Sequence, residues 1–491
     1  MAQGASLEWP TKEWQTSSPE QQGMDSSALA DLVKFGASNQ MDSLLVTRHG
    51  KLVAEAYYAP FKAGIKHRIN SATKAVISTL IAIALKDGLL DSLDRRVLEF
   101  FPDRKIDHLD DRKQAITIQH LLDMTSGLDW AEPLDDTPPV SLFAMERSQD
   151  WQQFILDRPI SREPGTDFNY DSGNAHLLSA IITKLTGGSA RSYADAQLFG
   201  PLGITDVDWP QDPQGISTGG RGLYLQPRDM AKIGYLYLRN GVWGGRQILP
   251  PAWIDKVNHA SVDMHQVREP DLRYGNLFWA LPDKKVYMAV GFHRQLIVVM
   301  PAIDVVAVVT GTRHYAFAKL VAAIADAVKS DQPLAANPPA CSLLDISIAD
   351  AATEKPSAVG QVPDLAKAIS GKVYHFAPNK LNLNTLSLNL VGTDASFEWV
   401  GSTEQSTSTT ERITRPIGVD GYYRTGGHAR YGIPAAKGNW QDQKTFVLEL
   451  LTLGNDDARK ITLTFEGSGV DLKFQSAGFQ TEAQGRTDDL Q

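Results

Sequence analysis

The chain has 491 residues, which is long enough for two or three domains with a sizeable core. Its net charge of −9 argues against a nucleic-acid surface or an anionic membrane as the main partner. The single cysteine, Cys341, excludes an internal disulfide and any Cys-x-x-Cys site, and no His-Glu-x-x-His motif is present. We therefore expect neither a metal nor another cofactor.

Membrane and export signals are not visible in the sequence. No apolar run reaches about 18 residues, so we expect no transmembrane helix. Residues 1–14 lack a basic stretch followed by an apolar core, and we expect a cytoplasmic protein. A leader already removed from the chain would leave the same picture and place the protein in the periplasm. The sequence gives no indication of the oligomeric state.

Helix and strand patterns are mixed in the first third of the chain. Residues 24–35 predict a short amphipathic helix, and residues 43–58 predict a β-hairpin. The apolar, alanine-rich run at 75–85 predicts a buried helix, and residues 118–124 predict a short one. Residues 129–140 are acidic and contain proline, which indicates an exposed loop beside a cleft.

The composition and the hydrophobic pattern of the remaining sequence change near residue 330. Before it, the patterns predict helices at 175–185, 229–238 and 315–329, and β-branched strands at 285–290, 295–300 and 305–310. After it, a proline-rich stretch is followed by short alternating segments typical of an antiparallel sandwich or barrel. We expect a mixed α/β domain at 1–332, a Pro/Ala-rich linker at 333–370 and an all-β domain at 371–491.

A Ser-x-x-Lys tetrad, Ser71 to Lys74, precedes the apolar run of the first buried helix. Positions i and i+3 share a helix face, so the Ser71 hydroxyl and the Lys74 amine can meet. A lysine at a buried helix start is a candidate base for a serine nucleophile. The tetrad is common by chance, and a plain N-terminal serine with a surface lysine one turn later is the alternative.

A second serine motif, Gly215-Ile216-Ser217-Thr218-Gly219, fits the Gly-x-Ser-x-Gly nucleophile elbow. That elbow requires a strand before the serine and a helix after it. Prolines precede this stretch and glycines follow it, so the context predicts a loop. We interpret Ser217 as non-catalytic.

Three further blocks follow the tetrad along the chain: His120–Leu128, Glu163–Ser172 with its Tyr-x-Ser, and Gly219–Leu223 with Arg228–Lys232. Together with the tetrad, they resemble the serine β-lactamase/penicillin-binding-protein-like superfamily over roughly residues 15–330. Their order and spacing are similar to those of class C β-lactamases, family VIII carboxylesterases and 6-aminohexanoate-dimer hydrolases. The resemblance implies an antiparallel sheet flanked by helices, an all-helical subdomain, and a C-terminal β-barrel of the kind appended to some members.

The resemblance also implies roles for individual residues. Ser71 would be the acyl-enzyme nucleophile, Lys74 its partner base, and Tyr170 the third member of the proton relay. Ser172 stands where many relatives carry asparagine, and it can still bond Lys74 or the substrate. Without the resemblance, Tyr170 would be interpreted as a half-buried aromatic side chain at a turn.

The third element of the superfamily, a strand carrying Lys-Thr-Gly or His-x-Gly, is altered in this chain. Gly291 is kept, but Ala289 stands at the position of the cation. This removes the usual carboxylate-binding cation of β-lactam enzymes. Either His293 or Arg294 supplies a replacement charge, or both side chains point away and are solvated.

We therefore expect a serine hydrolase that cleaves small ester or amide substrates through a Ser71 acyl-enzyme. Backbone N–H groups of Ser71 and Phe292 would form the oxyanion hole, with Gly291 and His293 beside it. β-Lactamase or D-amino peptidase activity at the same site stays open. A catalytically idle binding or sensor protein on this fold is the remaining alternative, although the three catalytic residue types are all retained.

Overall fold

The computed structural model describes residues 9–488, except residues 136, 266, 268, 393, 404–405, 428–430, 456–457 and 477–478, and except the side chains of 402–409. The chain divides into two compact units. The first contains the segment that ends at Tyr58 together with Arg68–Ala351. The second contains Ala59–His67 and the segment that begins at Ala352.

The helices lie almost wholly in the first unit. In chain order they are α1 Ser26–Ser38, α2 Thr73–Lys86, α3 Asp111–Ala115, α4 Ile118–Leu122, α5 Val140–Arg147, α6 Trp151–Leu156, α7 Ser172–Thr186, α8 Ala190–Ala194, α9 Gly200–Leu202, α10 Pro227–Leu238, α11 Pro251–Asn258, α12 Phe317–Ala327, α13 Pro338–Ala352 and α14 Leu365–Ile369. A π-helical turn, Asp195–Phe199, joins α8 to α9.

The strands form one large sheet in each unit. Those before the barrel are β1 Met41–Arg48, β2 Lys51–Tyr57, β3 His67–Arg68, β4 Tyr224–Leu225, β5 Val242–Trp243, β6 Arg246–Gln247, β7 Val262–Asp263, β8 Arg273–Gly275, β9 Phe278–Leu281, β10 Val286–Gly291, β11 Gln295–Met300 and β12 Val305–Gly311. Those of the barrel are β13 Val373–Phe376, β14 Leu383–Asn389, β15 Ser396–Thr403, β16 Ser406–Pro416, β17 Arg424–Thr425, β18 Ile433–Trp440, β19 Thr445–Leu453, β20 Ala458–Glu466, β21 Gly469–Ser476 and β22 Phe479–Arg486.

The first unit is built on an eight-stranded antiparallel sheet with the order β2-β1-β12-β11-β10-β9-β8-β7. Every residue of β1, β10, β11 and β12 is buried, so helices or loops cover both faces of the sheet centre. Helix α10 packs on this centre at Gly234, where an added Cβ would lie 2.6 Å from Val306 and 2.7 Å from Ile297. The predicted mixed domain with an antiparallel sheet and flanking helices is confirmed.

Two apolar helices that the sequence predicted, α2 and α7, pack against each other. Helix α7 begins where the Asp171 side chain accepts a hydrogen bond from the Asn174 N–H, and it ends at Gly187, whose φ of 71° suits glycine. Helix α2 is buried from its first residue almost to its end. Their pairing places the Ser-x-x-Lys tetrad beside the residues that precede α7.

The second unit is an antiparallel barrel of ten strands in the order β16-β15-β14-β13-β22-β21-β20-β19-β18-β17. The edge strands β16 and β17 lie next to each other, so the barrel is nearly closed. Its core is formed by alternate apolar side chains such as Leu386, Phe446 and Leu463, all at most 1% exposed. The predicted C-terminal all-β module is confirmed and is a barrel.

The expected division at 332 and 370 remains a prediction about domains, and two structural details differ from it. Helices α13 and α14 lie within the stretch expected to be a linker, and Leu344 of α13 joins the core of the first unit. Within the barrel unit, Phe61 and Ile65 pack with Leu453. Apolar contacts far apart in sequence set these boundaries, which composition alone does not show.

No helix among the described residues is both long and apolar enough to cross a bilayer.

Candidate active site

Ser71 lies in a short 3₁₀ turn, Asn70–Ala72, directly before α2. Asn70 has a φ of 48°, and its carbonyl accepts a hydrogen bond of 2.7 Å from Thr73 Oγ1. The Ser71 side chain is half-buried, whereas the residues after it on α2 are buried. The turn therefore holds Ser71 where the core meets accessible surface.

Lys74 Nζ makes three hydrogen bonds although the residue is only 1% exposed. Its partners are Ser71 Oγ at 3.1 Å, Ser172 Oγ at 2.9 Å and the Gly220 carbonyl at 2.8 Å. The tetrad serine and lysine thus meet, as their i, i+3 spacing predicts. Buried amines without such partners are costly, so these contacts account for the burial.

Glu132 lies beneath Ser172 and was missed by the sequence analysis. Its Oε1 accepts from Ser172 Oγ at 2.6 Å, and its Oε2 accepts from the Ser172 N–H and from Trp130 Nε1, both at 2.8 Å. Glu132 is 9% exposed and Trp130 is 4% exposed. The expectation that residues 129–140 form an exposed loop is therefore wrong at Trp130 and Glu132. Glu132 is buried because Ser172 and Trp130 donate hydrogen bonds to its carboxylate.

Tyr170 is 4% exposed, and Lys74 Nζ lies 4.6 Å from the centre of its ring. An ammonium over an aromatic face at this distance is a favourable cation–π geometry. The Tyr-x-Ser segment before α7 thus brings both Tyr170 and Ser172 to Lys74.

Asp171, between these two residues, is 1% exposed. Its Oδ1 accepts from the Asn174 N–H at 3.2 Å, and its Oδ2 has no hydrogen-bond partner among the described residues. Burial, reinforced by the nearby Glu132 carboxylate, raises the pKa of Asp171 well above its ordinary value. Asp171 therefore caps α7 with a carboxyl group whose ionisation is disfavoured by its surroundings.

The end of β10 approaches the Ser71 turn closely at Gly291. An added Cβ at this glycine would lie 2.2 Å from the Ile69 carbonyl oxygen, so only glycine fits. The Asn70 side chain also donates to the Phe292 carbonyl at 3.2 Å. These contacts hold the backbone of Gly291 and Phe292 beside the turn that carries Ser71. The Phe292 side chain is 45% exposed.

The two candidate replacement cations lie in the turn after Phe292, with φ values of 60° at His293 and 64° at Arg294. The Arg294 guanidinium stacks 3.8 Å from the centre of the Phe317 ring, and its Nε donates to the Tyr315 carbonyl at 2.8 Å. The His293 ring stacks on that of Phe292, with 3.9 Å between centroids. These contacts hold the Arg294 side chain against Tyr315 and Phe317 at the start of α12.

The second serine motif has a different environment. Ser217 is 0% exposed, and its Oγ accepts a hydrogen bond of 3.1 Å from the Arg191 N–H. Nearby, Nε2 of His176 on α7 lies 3.0 Å from Oδ2 of Asp212, and both side chains are buried. His176 Nδ1 accepts from the Gly219 N–H at 3.4 Å, so both ring nitrogens are occupied by structural contacts.

The neighbouring Gly219-Gly220 pair contributes a backbone carbonyl, that of Gly220, to the surroundings of Lys74. An added Cβ at Gly219 would lie 2.1 Å from the Ala175 carbonyl oxygen, and one at Gly220 would lie 2.7 Å from Ser172 Cβ. The absence of side chains lets this loop reach α7 and present the Gly220 carbonyl to Lys74.

Comparison with known proteins agrees with this architecture. The family model described as Beta-lactamase matches residues 26–329. A curated relative, 6-aminohexanoate-dimer hydrolase of Paenarthrobacter ureafaciens, is 24% identical over 242 residues, which are 47% of this chain and 60% of the relative. Protein flp of Staphylococcus aureus strain COL is 29% identical over 178 residues, 34% of each chain. The chain thus spans less than two-thirds of the length of either relative.

Among solved structures, EstCE1, a hydrolase with promiscuous acyltransferase activity, superposes with a TM-score of 0.52 at 19% identity. The match covers 62% of this chain and 99% of EstCE1, and at this identity it shows the fold alone. The family model covers more than half of the chain and contains every side chain placed at the site above. The protein therefore belongs to the beta-lactamase family and has the fold of its hydrolases.

Proposed function

We propose that the protein is a serine hydrolase that cleaves small ester or amide bonds through an acyl-enzyme on Ser71. The observation that carries the proposal is the half-buried Ser71 hydroxyl at 3.1 Å from the buried Lys74 amine. A serine hydroxyl needs an adjacent base to become a nucleophile, and this pair has the required reach. Membership of the beta-lactamase family supports the same assignment.

In the proposed first half-reaction, Ser71 Oγ bonds to the substrate carbonyl carbon while its proton passes to Lys74 Nζ. Backbone N–H groups of Ser71 and Phe292 stabilise the oxyanion that develops. Tyr170 relays a proton to the leaving alcohol or amine as its bond to the carbonyl carbon breaks. The acyl group then remains on Ser71.

In the second half-reaction, water adds to the acyl carbon and gives its proton to the same relay. The ester bond to Ser71 Oγ breaks, Ser71 Oγ regains a proton, and the carboxylic acid leaves. The two half-reactions use water, the three side chains named and the two backbone N–H groups.

The residues at and near the usual position of the carboxylate-binding cation favour esters and amides over β-lactams as substrates. Ala289, at the position of the usual carboxylate-binding cation, is buried, and Arg294 is held against Phe317 and the Tyr315 carbonyl. A β-lactam carboxylate would therefore find no partner charge from either residue. A relative named as a 6-aminohexanoate-dimer hydrolase is consistent with this preference.

A fluorophosphonate probe and a substrate panel test the proposal. We expect the probe to label Ser71, mapped by mass spectrometry, and kcat/KM to be higher for p-nitrophenyl butyrate than for nitrocefin. Labelling at another residue would refute the Ser71 assignment. No labelling and no turnover would favour an idle binding or sensor protein, and faster nitrocefin hydrolysis would favour a β-lactamase.

A further inference from the structure

Glu132 lies near the proposed catalytic lysine, and the donors around it suit a carboxylate. Its two oxygens accept three hydrogen bonds, from the hydroxyl and N–H of Ser172 and from Trp130 Nε1. Two of these donors are N–H groups that can only donate, and an ionised carboxylate can only accept. Within the part of the chain that the structure describes, Glu132 forms no hydrogen bond or ion pair with Ser71 or Lys74, and it is linked to Lys74 through Ser172.

The contact fixes the direction of the Ser172 hydroxyl. A serine hydroxyl has one hydrogen, and at 2.6 Å from Glu132 Oε1 that hydrogen is donated to the carboxylate. Ser172 Oγ must then accept from Lys74 Nζ, at 2.9 Å. The Gly220 carbonyl, at 2.8 Å, can also only accept.

Two of the Lys74 N–H groups are thereby committed to Ser172 and Gly220. The remaining tetrahedral position of Nζ faces Ser71 Oγ at 3.1 Å. In the neutral amine this position is the lone pair, which is what a base needs to take the Ser71 proton.

We propose that Glu132 is a positioning residue that, through the Ser172 hydroxyl, directs the free position of Lys74 at Ser71. The inference rests on the proposed function, because it assigns Lys74 the role of base. It adds a carboxylate to the relay and explains why serine can stand at position 172: the hydroxyl accepts from Lys74 only because Glu132 takes its hydrogen.

The charges around Glu132 fix the direction of its effect on pH dependence. Lys74 and Tyr170 lie on the far side of Ser172, and Asp171 and Tyr274 also face the carboxylate. Burial raises the pKa of both Asp171 and Tyr274 well above their ordinary values, and the Glu132 carboxylate adds to the shift of each. A carboxylate at position 132 places a negative charge near the proposed proton relay, and a glutamine there would remove it.

Glu132→Gln is the direct test. The glutamine oxygen is needed by the two N–H donors, so its NH₂ group faces Ser172 Oγ and donates to it. The Ser172 hydrogen then turns to Lys74 Nζ and competes with Ser71 for the lone pair. We expect kcat/KM for p-nitrophenyl butyrate to fall by about tenfold or more, the effect of a buried hydrogen bond to a charged group. The acidic limb of its pH profile should move to lower pH, since the charge is gone.

Glu20 provides a matched control outside the site. Its carboxylate is 4% exposed and accepts from the N–H and the hydroxyl of one serine, Ser26, at 3.1 and 2.9 Å. Glu20→Gln removes the same kind of buried contact and has the same expected cost in thermal stability. We expect it to leave kcat/KM and the pH profile unchanged. Equal kinetic losses in Glu132→Gln and Glu20→Gln would overturn the proposal.

A double-mutant cycle with Ser172→Ala tests whether Glu132 acts through Ser172. If it does, adding Glu132→Gln to Ser172→Ala should change kcat/KM by no more than about twofold, because coupled residues are not additive. Fully multiplicative losses would overturn the proposal. If Glu132→Gln does not fold, Glu132→Asp replaces it: the acidic limb should stay in place while kcat/KM falls, and an unchanged kcat/KM would count against the inference.

The outcomes separate this inference from the proposed function. Full hydrolysis by Ser71→Ala would refute both. Hydrolysis that depends on Ser71 but shows no kinetic response to Glu132→Gln would refute only the role of Glu132.

Discussion

Two serines of this chain stand in short motifs associated with catalysis, and their surroundings differ. Ser71 is half-buried in a turn before α2 and has the Lys74 amine at 3.1 Å. Ser217 is 0% exposed, and its hydroxyl accepts a hydrogen bond from the Arg191 N–H. A nucleophile must reach a substrate, and only Ser71 meets this condition.

The Ser217 region also contains a histidine and an aspartate, the usual companions of a catalytic serine. His176 and Asp212 lie 3.0 Å apart, yet His176 Nδ1 accepts from the Gly219 N–H. Asp212 Oδ1 accepts from the Ile216 N–H at 2.8 Å and so fixes the loop. The histidine has no free nitrogen to receive a serine proton. A Ser, His and Asp in proximity can therefore be a structural network, and the direction of each hydrogen bond decides between the two roles.

Ser71→Ala should have the largest effect on hydrolysis. An unchanged activity would contradict the distinction between Ser71 as nucleophile and Ser217 as structural residue. We expect hydrolysis to fall by a factor on the order of 10⁴ or more, as when the nucleophile of a catalytic unit is removed. Probe labelling should disappear while the circular dichroism spectrum and melting temperature stay close to the wild type. Retained turnover in a purified, folded variant would move the nucleophile elsewhere, with Ser217 the next residue to replace.

Lys74→Ala and Tyr170→Phe should each reduce kcat/KM by about 10²- to 10⁴-fold, the range for a general acid or base. Combining either with Ser71→Ala should cause little further loss, because residues that act as a unit are not additive. Steady-state kinetics on a short-chain ester measure both effects. A Tyr170→Phe enzyme with wild-type kcat/KM would remove the tyrosine hydroxyl from the relay.

Asp212→Asn should affect stability and leave chemistry unchanged. The asparagine amide must place its NH₂ toward His176 Nε2–H or toward the Ile216 N–H, so one buried donor loses its acceptor. We expect the free energy of unfolding to fall by about 1–3 kcal/mol, with probe labelling of Ser71 intact. Urea denaturation monitored by circular dichroism gives the first quantity. Loss of labelling in the folded variant would assign this network to catalysis.

Ser217→Ala extends the same test with a smaller expected effect. The Arg191 N–H loses its acceptor, and we expect a loss of about 1 kcal/mol in unfolding free energy and no change in kcat/KM. A kinetic loss comparable to that of Ser71→Ala would overturn our interpretation of the second motif.

Asp171→Asn should have the smallest effect, visible only in the pH dependence of stability. The folded-state pKa of Asp171 is raised above its ordinary 3.8, so its contribution is fully present below that pH and is lost as pH rises toward the folded value. Asparagine keeps the cap on α7 and does not ionise. The variant should therefore gain stability relative to the wild type as pH rises above 3.8. A difference that does not change with pH would show that Asp171 ionises freely in the folded protein.

The fold followed from local patterns to a large extent. The buried helix after the tetrad, the hairpin β1–β2, the strands β10 to β12 and the barrel all agree with periodicity and β-branched content. Two long strands of the barrel, β16 and β22, do not follow from such patterns. β16 (Ser406–Pro416) and β22 (Phe479–Arg486) are rich in polar residues, so a hydrophobic alternation does not mark them. These two segments are strands because their backbones pair with the neighbouring strands β15 and β21.

The site divides in the same way. The sequence by itself determined the pairing of Ser71 with Lys74, because one helical turn separates them. Its resemblance to the superfamily marked Tyr170 and Ser172 as further candidates. Only the tertiary structure decided that Glu132 lies beneath Ser172 and that Arg294 is held by Phe317. Helical spacing fixes contacts within a turn, whereas the partners of a buried charge depend on which distant segments the core brings together.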